Sequence, residues 1–471
     1  MTEQRTRRAA RQRTDEARRL APLMRSRRRS VNICVAIVLA FYFIGLMWFL
    51  RPSFSEVEKR NLTEFPEVTA ERLVSGAFFS DAALWYSDTY PVREQLVGAS
   101  QALSQMRGIQ TGERMVGGGV AADELPPVDG DAPETPAQEG EGAAETEPAA
   151  PETAWKDEGP VEVPTAEEMQ ADIQAQIMSG LYVNNGAAYS VYYFIQSAVE
   201  QYAAAMNACA DALDGEAKVY SMLVPNNSGA ILDDDVLAAL GGTDQRDALR
   251  YSYSLMNDKV GKVFILDVLR EHRDEYIYFR SDHHWTQLGA YWAYTELCRV
   301  RGVEPQPVLS WEKMSFEPFL GTFYAELGDA QMAANPDRVD AYIPSGTNDM
   351  VYWDTEGTRF DWYVVADVSD WANNSFYMCY IAGDRPLSII ENPAREDKPV
   401  ALVIKDSYGN AFVPCLVDDY SKVYVIDYRY SDVSIPQFVR ENGVDEVIFA
   451  NNMTLAGTES VASKLWSMCQ G

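Results

Sequence analysis

Histidine is scarce in this chain, with three among 471 residues, and two of them are adjacent in 281-SDHHWTQLGAYWAY-294. An imidazole titrates nearest neutrality and is a natural general base. Asp282 stands two residues before His284, and in an extended segment residues two apart share a side. That alternation sets Asp282 beside His284 and turns His283 away. A carboxylate bound to one imidazole nitrogen fixes the tautomer and leaves the other nitrogen as the base. The same residues also read as an aspartate capping the helix that starts near Trp285, or as a metal pair. Metal is discounted, because adjacent histidines do not easily reach one ion and no third ligand is evident. His272, in 270-REHRDEYIY-278, lies among charges and reads as a solvated residue.

A base of this kind needs a nucleophile to activate. In 400-VALVIKDSYGNAFVPCL-416 an apolar run ends at Lys405, and Ser407 follows in a polar turn before a stretch that can begin a helix. A serine at a strand-to-helix turn is presented outward, with backbone N–H groups of the helix directed towards it, as in a nucleophile elbow. Gly409, two residues on, lets the backbone pass closely. The plain alternative is a turn or helix cap.

These residues must be held by a sheet. Apolar runs recur from about residue 165: 219-VYSMLV-224, 263-VFILDV-268, 400-VALVI-404, 423-VYVID-427 and 446-EVIFA-450. Unbroken runs of this kind predict strands buried on both faces, hence a parallel sheet flanked by helices. Helices are expected over 190–213 and 286–300. The pattern is α/β, and sites in such sheets gather beyond the carboxyl ends of the strands. The run 233-DDD-235 reads as a solvated helix start. The aromatic-rich stretch 348–380 reads as core more readily than as a sugar-stacking surface.

Upstream, residues 1–30 hold eleven arginines and run into the uncharged 31-VNICVAIVLAFYFIGLMWFL-50. About 20 apolar residues cross a bilayer as a helix, and no small-residue cleavage site follows. The expectation is a single-pass signal anchor at 31–50 in the cell membrane. Residues 1–30 form its basic cytoplasmic tail, and the extracytoplasmic domain begins over 51–116. Residues 117–164, rich in Pro, Gly, Ala and Glu, are expected to be a disordered acidic insertion, followed by the main domain at 165–471. The formal net charge of -30 gives no hint of nucleic-acid binding, since a phosphate backbone would repel it. Cys34 falls in the span. The other five cysteines are scattered without a CxxC pair and read chiefly as small buried hydrophobes.

Taken together, 278-YFRSDHHWTQLGAYWAY-294, 54-FSEVEKRNLTEFP-66, 318-PFLGTFYAELG-328, 404-IKDSYGNAFVPCL-416 and 426-IDYRY-430 resemble the bacterial DHHW protein family. That family is related to the SGNH-hydrolase-like domains of alginate O-acetylation proteins. The resemblance runs from about residue 53 to the end, interrupted by the acidic stretch. It implies an SGNH-hydrolase-like three-layer α/β/α fold with a parallel sheet and permuted motif order, the Asp-x-His motif preceding the serine. Carried over residue by residue, Ser407 is the nucleophile, His284 the base and Asp282 the orienting acid. His283 and Trp285 are substrate-side candidates. Lys405 stands where a glycine is usual before the Asp-Ser pair. For the oxyanion, donors are open among Ser407 N–H, Asn452, Asn410 and Gly383 N–H. The implied activity is serine-dependent O-acetyl transfer or acetyl-ester hydrolysis on an exported or cell-wall polysaccharide. No cofactor is called for, and a membrane acetyl-donor protein is a possible partner. The competing reading is a non-catalytic polysaccharide-binding or assembly protein that keeps the fold.

Overall fold

In the structure, a computed structural model, four of the five apolar runs become neighbouring strands of one eight-stranded sheet. Its strands are β1 (Lys218–Val224), β2 (Val260–Lys262), β3 (Asp349–Trp353), β4 (Arg359–Tyr363), β5 (Leu387–Glu391), β6 (Val400–Lys405), β7 (Lys422–Asp427) and β8 (Glu446–Asn452). Their order is β4-β3-β5-β7-β6-β8-β1-β2. The five strands from β7 to β2 are parallel, whereas β5, β3 and β4 continue the sheet antiparallel. The sheet is therefore mixed, not parallel throughout. Burial gives the reason. β6 and β8 are buried along almost their whole length, which needs cover on both faces, while β4 at the edge is exposed at four of its five residues.

The run 263–268 does not form the expected strand. β2 ends at Lys262, and Leu266–Glu271 is helical. Short apolar runs are ambiguous between a strand and a buried helix turn. The helices that cover the sheet are α1 (Gln196–Ala212), α2 (Gln245–Ser254), α3 (Gln287–Arg301), α4 (Gly409–Leu416), α5 (Ile435–Asn442) and α6 (Glu459–Cys469). α1 starts six residues later than expected because Ala187–Ser190 is a strand. The strands divide their side chains with period two. Leu402 and Ile404 of β6 join a core with residues of α1, α2, α5 and α6. Ala401 and Val403 join a second core with residues of α3 and α4. Both faces of the sheet are thus covered by helices.

The described residues are 177–470, 113–117, 122–127 and 155–156, with scattered positions between 51 and 91 and between 164 and 172. The chain divides into two units, Met1–Arg107 and Gly108–Gly471. In the first, Phe54–Ser55 pairs antiparallel with Arg60–Asn61. In the second, Glu113–Gly117 pairs with Gly180–Asn184. The expected tail and membrane span, 1–30 and 31–50, lie outside the described residues. Among the described residues no helix is long and apolar enough to cross a membrane. Within the acidic stretch 117–164, described residues touch the domain: Gly117 ends the strand paired with Gly180–Asn184, and Leu125 packs on the core of α1 and α2. Asp123 N–H donates to Phe194 O at 2.9 Å, and Asp123 Oδ2 accepts from Gln196 N at 2.9 Å. Trp155 N–H donates to Glu200 at 2.6 Å, and its ring meets Trp466 edge-on.

Candidate active site

β6 delivers Lys405 to the carboxyl edge of the sheet, in register with Asp427 of β7. Asp406 turns inward and is fully buried. It accepts Tyr408 N–H at 2.9 Å and Asn452 N–H at 2.7 Å, which ties the turn to the end of β8. Burial pushes the Asp406 carboxyl up to about 6 against these bonds and the attraction of Arg429. Ser407 and Tyr408 form the turn that leads into α4, and Asn410 N–H donates to Ser407 O across it at 3.2 Å. Gly409 is required because a Cβ there would meet the side chain of Lys405. Ser407 is left 9% exposed at the surface of this turn.

His284 Nε2 lies 2.7 Å from Ser407 Oγ, and His284 Nδ1 lies 2.6 Å from Asp282 Oδ1. An ionised carboxylate only accepts, so Nδ1 carries the imidazole proton, Nε2 is the acceptor and the serine hydroxyl donates to it. Asp282 and His284 meet through a tight turn, not through strand alternation. His284 N–H also donates to Asp282 Oδ1 at 2.9 Å, an Asx-type closure. The other oxygen, Oδ2, accepts Thr322 N–H at 2.7 Å and Thr322 Oγ1 at 2.9 Å. Burial alone would raise the Asp282 carboxyl. The two neighbouring imidazoles and the bonds from His284 and Thr322 outweigh it and hold Asp282 well below the usual carboxylate range.

Because the segment turns, His283 is not directed away as alternation predicted. Its ring centroid is 3.8 Å from that of His284, and its Nδ1 is 3.8 Å from Asp282 Oδ1, too far to bond. Burial and the neighbouring His284 push the His283 imidazole down to about 3, so it is neutral. Trp285 cannot wall a substrate site. It is fully buried, its indole N–H donates to Tyr408 O at 2.9 Å, and it packs on Phe412.

Two of the four oxyanion candidates have no donor to give. Asn452 directs its N–H to Asp406 and its amide hydrogens to Val224 O and Asn226 Oδ1, while its Oδ1 caps the turn at Thr454. Gly383 N–H donates to Tyr380 O at 2.9 Å. Ser407 N–H has no acceptor among the described residues, and Asn410 Nδ2 uses one bond, to Asp384 at 3.0 Å, leaving its second N–H.

Sequence reasoning missed several residues of the site. Tyr377 stacks on the His284 ring at 4.2 Å and 16°, and its hydroxyl donates to Ser407 O at 3.1 Å. It lay in the aromatic stretch read as core, with nothing to single it out. Gly321 and Thr322 fall in 318-PFLGTFYAELG-328 without any local sign of a partner forty residues away. Asp337 anchors the base of the turn, accepting Ser281 N–H at 2.7 Å. The aromatic stretch does contribute core residues such as Tyr380, yet Phe360, Tyr363 and Trp371 are exposed.

Metal-ligating atoms of Asp282, His283 and His284 lie within 4.8 Å of one another. The set does not fit an ion. Both His284 nitrogens and both Asp282 oxygens are engaged in the bonds above, which leaves only His283 with a nitrogen to offer.

The fold and site together define a mixed α/β protein with a hydrogen-bonded Ser407, His284 and Asp282 at the carboxyl edge of its parallel strands. The DHHW protein family matches residues 58–143 and 150–426, and the chain belongs to it. Among solved structures it is similar to a DHHW family protein from Eubacterium siraeum, at 26% identity and TM-score 0.54 over 60% of this chain and 94% of that one. It is also similar to Bacillus cereus PatB1, at 20% identity and TM-score 0.52 over 60% of this chain and 98% of that one. PatB1 is also known with a sulfonyl adduct, and that structure gives 19% identity and TM-score 0.51, with coverage of 60% and 97%. No curated protein matches the chain.

Proposed function

We propose that the protein is a serine acyl enzyme with an SGNH-hydrolase-like three-layer fold, anchored in the cell membrane by 31–50 with its large domain outside. It moves acetyl groups to or from the hydroxyls of an exported or cell-wall polysaccharide. The observation that carries this reading is the unbroken chain of bonds from Asp282 through His284 to Ser407, at 2.6 and 2.7 Å.

In the reaction, Ser407 Oγ attacks the carbonyl carbon of an acetyl ester as its proton passes to His284 Nε2. Asp282 holds the imidazole in the tautomer that can take that proton and offsets the charge that forms. The tetrahedral oxygen is received by the free N–H groups of Ser407 and Asn410. Collapse expels the donor alcohol, which takes the proton from His284, and leaves acetyl-Ser407. A sugar hydroxyl or water then attacks in the same way, giving transfer or hydrolysis according to how well water is excluded. The donor would be supplied by a membrane acetyl-carrier protein. Tyr377, stacked on the base, restrains its rotation.

The test is release of chromophore from an acetyl ester by the detergent-solubilised full chain. Ser407→Ala, His284→Ala and Asp282→Asn should each remove most turnover with circular dichroism unchanged. Ser407→Ala combined with His284→Ala should cost little more than either alone, because the three act as a unit. Full turnover in folded Ser407→Ala would end the mechanism. A folded unmutated chain inert towards esters and towards acetylated polysaccharide would favour the non-catalytic binding protein.

A further inference from the structure

The turn before Asp384 has an unusual backbone. Ile381, Ala382 and Gly383 have φ of 46°, 59° and 76° in succession. The left-handed region is natural for glycine but unfavourable for alanine and more so for a β-branched isoleucine. Ile381 and Ala382 are also buried, so the conformation is enforced by packing. Strain of this kind persists where the surroundings over-determine it, and it points from an observed outlier to a role.

What the turn presents is the Asp384 carboxylate, 28% exposed, at the rim of a lattice of four charges whose other three, Lys405, Asp427 and Arg429, are buried. Lys405 Nζ donates to Asp384 at 3.0 Å and to Asp427 at 2.9 Å. Arg429 donates to Asp427 at 2.9 and 2.6 Å and lies 2.9 Å from Asp384. Two cations and two carboxylates balance, which offsets the cost of burying Lys405, Asp427 and Arg429. Asp384 is also the acceptor for Asn410 Nδ2 at 3.0 Å.

Asn410 stands three residues after Ser407, and its N–H bond to Ser407 O at 3.2 Å holds both in one turn. Helical side chains lean back towards the N-terminus, the direction in which Ser407 lies from Asn410. Its Oδ1 is buried without a partner. Rotating the amide by half a turn would set that oxygen against the Asp384 carboxylate, so Asp384 alone dictates which way the amide faces. One N–H is fixed on Asp384, and the geometry of a planar amide then fixes the direction of the other.

We propose that Asp384, presented by the strained turn 381–383 and locked by Lys405 and Arg429, is a positioning residue that aims the second N–H of Asn410 at the oxyanion formed on Ser407. The proposal rests on the acyl-transfer reading. It also explains Lys405 in place of glycine, since the lysine reaches under the turn to hold Asp384.

The test is a double-mutant cycle on ester turnover by the full chain, using Asp384→Asn and Asn410→Ala. Loss of one oxyanion donor in Asn410→Ala should lower kcat about 10²-fold with KM nearly unchanged. Asp384→Asn should lower kcat roughly 10- to 100-fold, again without a matching rise in KM. In the Asn410→Ala background the same change should add no more than about twofold. If Asp384→Asn alone fails to fold, the charge-balanced pair Asp384→Asn with Lys405→Met takes its place in the cycle. An unchanged kcat in Asn410→Ala overturns the proposal, as does an equal, additive effect of the Asp384 change in both backgrounds. Those results leave the acyl-transfer reading standing. A chain that turns over no ester and takes no sulfonyl label on Ser407 overturns that reading and this proposal with it.

Discussion

Gly321 is the position where the smallest change should do the most damage. A methyl group placed there would come within 2.6 Å of the Asp282 Cγ and closer still to its Oδ2 and Cβ. Ordinary carbon contacts begin near 3.5 Å, so the carboxylate must retreat by roughly 1 Å. It is not a loose side-chain end. It accepts four hydrogen bonds, two from Thr322 and two from His284. A shift of that size stretches the 2.6 Å bond to His284 Nδ1 beyond hydrogen-bond range. Gly321→Ala should therefore lower kcat by at least about 10²-fold, the usual penalty for a misplacement of that order. The ceiling is about 10⁴-fold, the loss when the orienting acid is disabled outright. Overpacking should destabilise the fold by about 1–3 kcal/mol, visible as a lower Tm but not as unfolding at 25 °C. The assay is 4-nitrophenyl acetate turnover beside a thermal melt. Thr322→Val, which keeps the backbone N–H and loses one hydroxyl bond, should lose only about tenfold. A folded Gly321→Ala protein with unaltered kcat would refute the role given to Asp282.

Two buried groups shape stability on the acid side in opposite directions. His283 is depressed to about 3 when folded, so its contribution is full above its unfolded value of about 6.5 and is lost as pH falls from there. Its imidazole NMR signals should stay at the neutral position at pH 5, and titration near pH 6 would contradict the burial argument. Asp406 is raised to about 6, so its ionised form costs stability at neutral pH and that cost is relieved as pH falls from 6 towards 4. In Asp406→Asn the relief disappears, and denaturant titrations should lose stability more steeply over that window, by up to about 1.4 kcal/mol per pH unit. Deleting 128–154 should leave Tm unchanged, while removing Trp155 as well should lower it, since Trp155 contacts Glu200 and Trp466. Protease added to intact spheroplasts should digest the large domain, and protection until lysis would reverse the proposed orientation.

Four of the five parallel strands were legible because a strand buried on both faces leaves little room for polar residues before its carboxyl end. β6, β7 and β8 announce themselves as Val, Ile and Leu runs. The antiparallel strands β3, β4 and β5 did not. They are partly exposed and carry Asp349, Asp361 and Glu391, so their apolar signal is diluted. The pairing of Ser407 with His284 could be read because a strand-ending serine and a rare histidine are conspicuous by type. The reason given for Asp282 beside His284 was wrong in its geometry: a turn closes that contact, and it brings His283 along. Thr322, Tyr377 and Asp384 could not be read, since each acts through a contact made only when the sheet assembles. A threonine forty residues from its carboxylate leaves no spacing to recognise.

The most direct test of the account is covalent. The full chain is treated with phenylmethylsulfonyl fluoride, and the modified residue is located by peptide mass spectrometry. Ser407 should carry the sulfonyl group, with fluoride released, and labelling should fall at least about 10²-fold in His284→Ala, because the hydroxyl is inert without its base. A label that settles on another residue, or a Ser407 that reacts equally fast without His284, would contradict the claim that Asp282, His284 and Ser407 work as one nucleophilic unit.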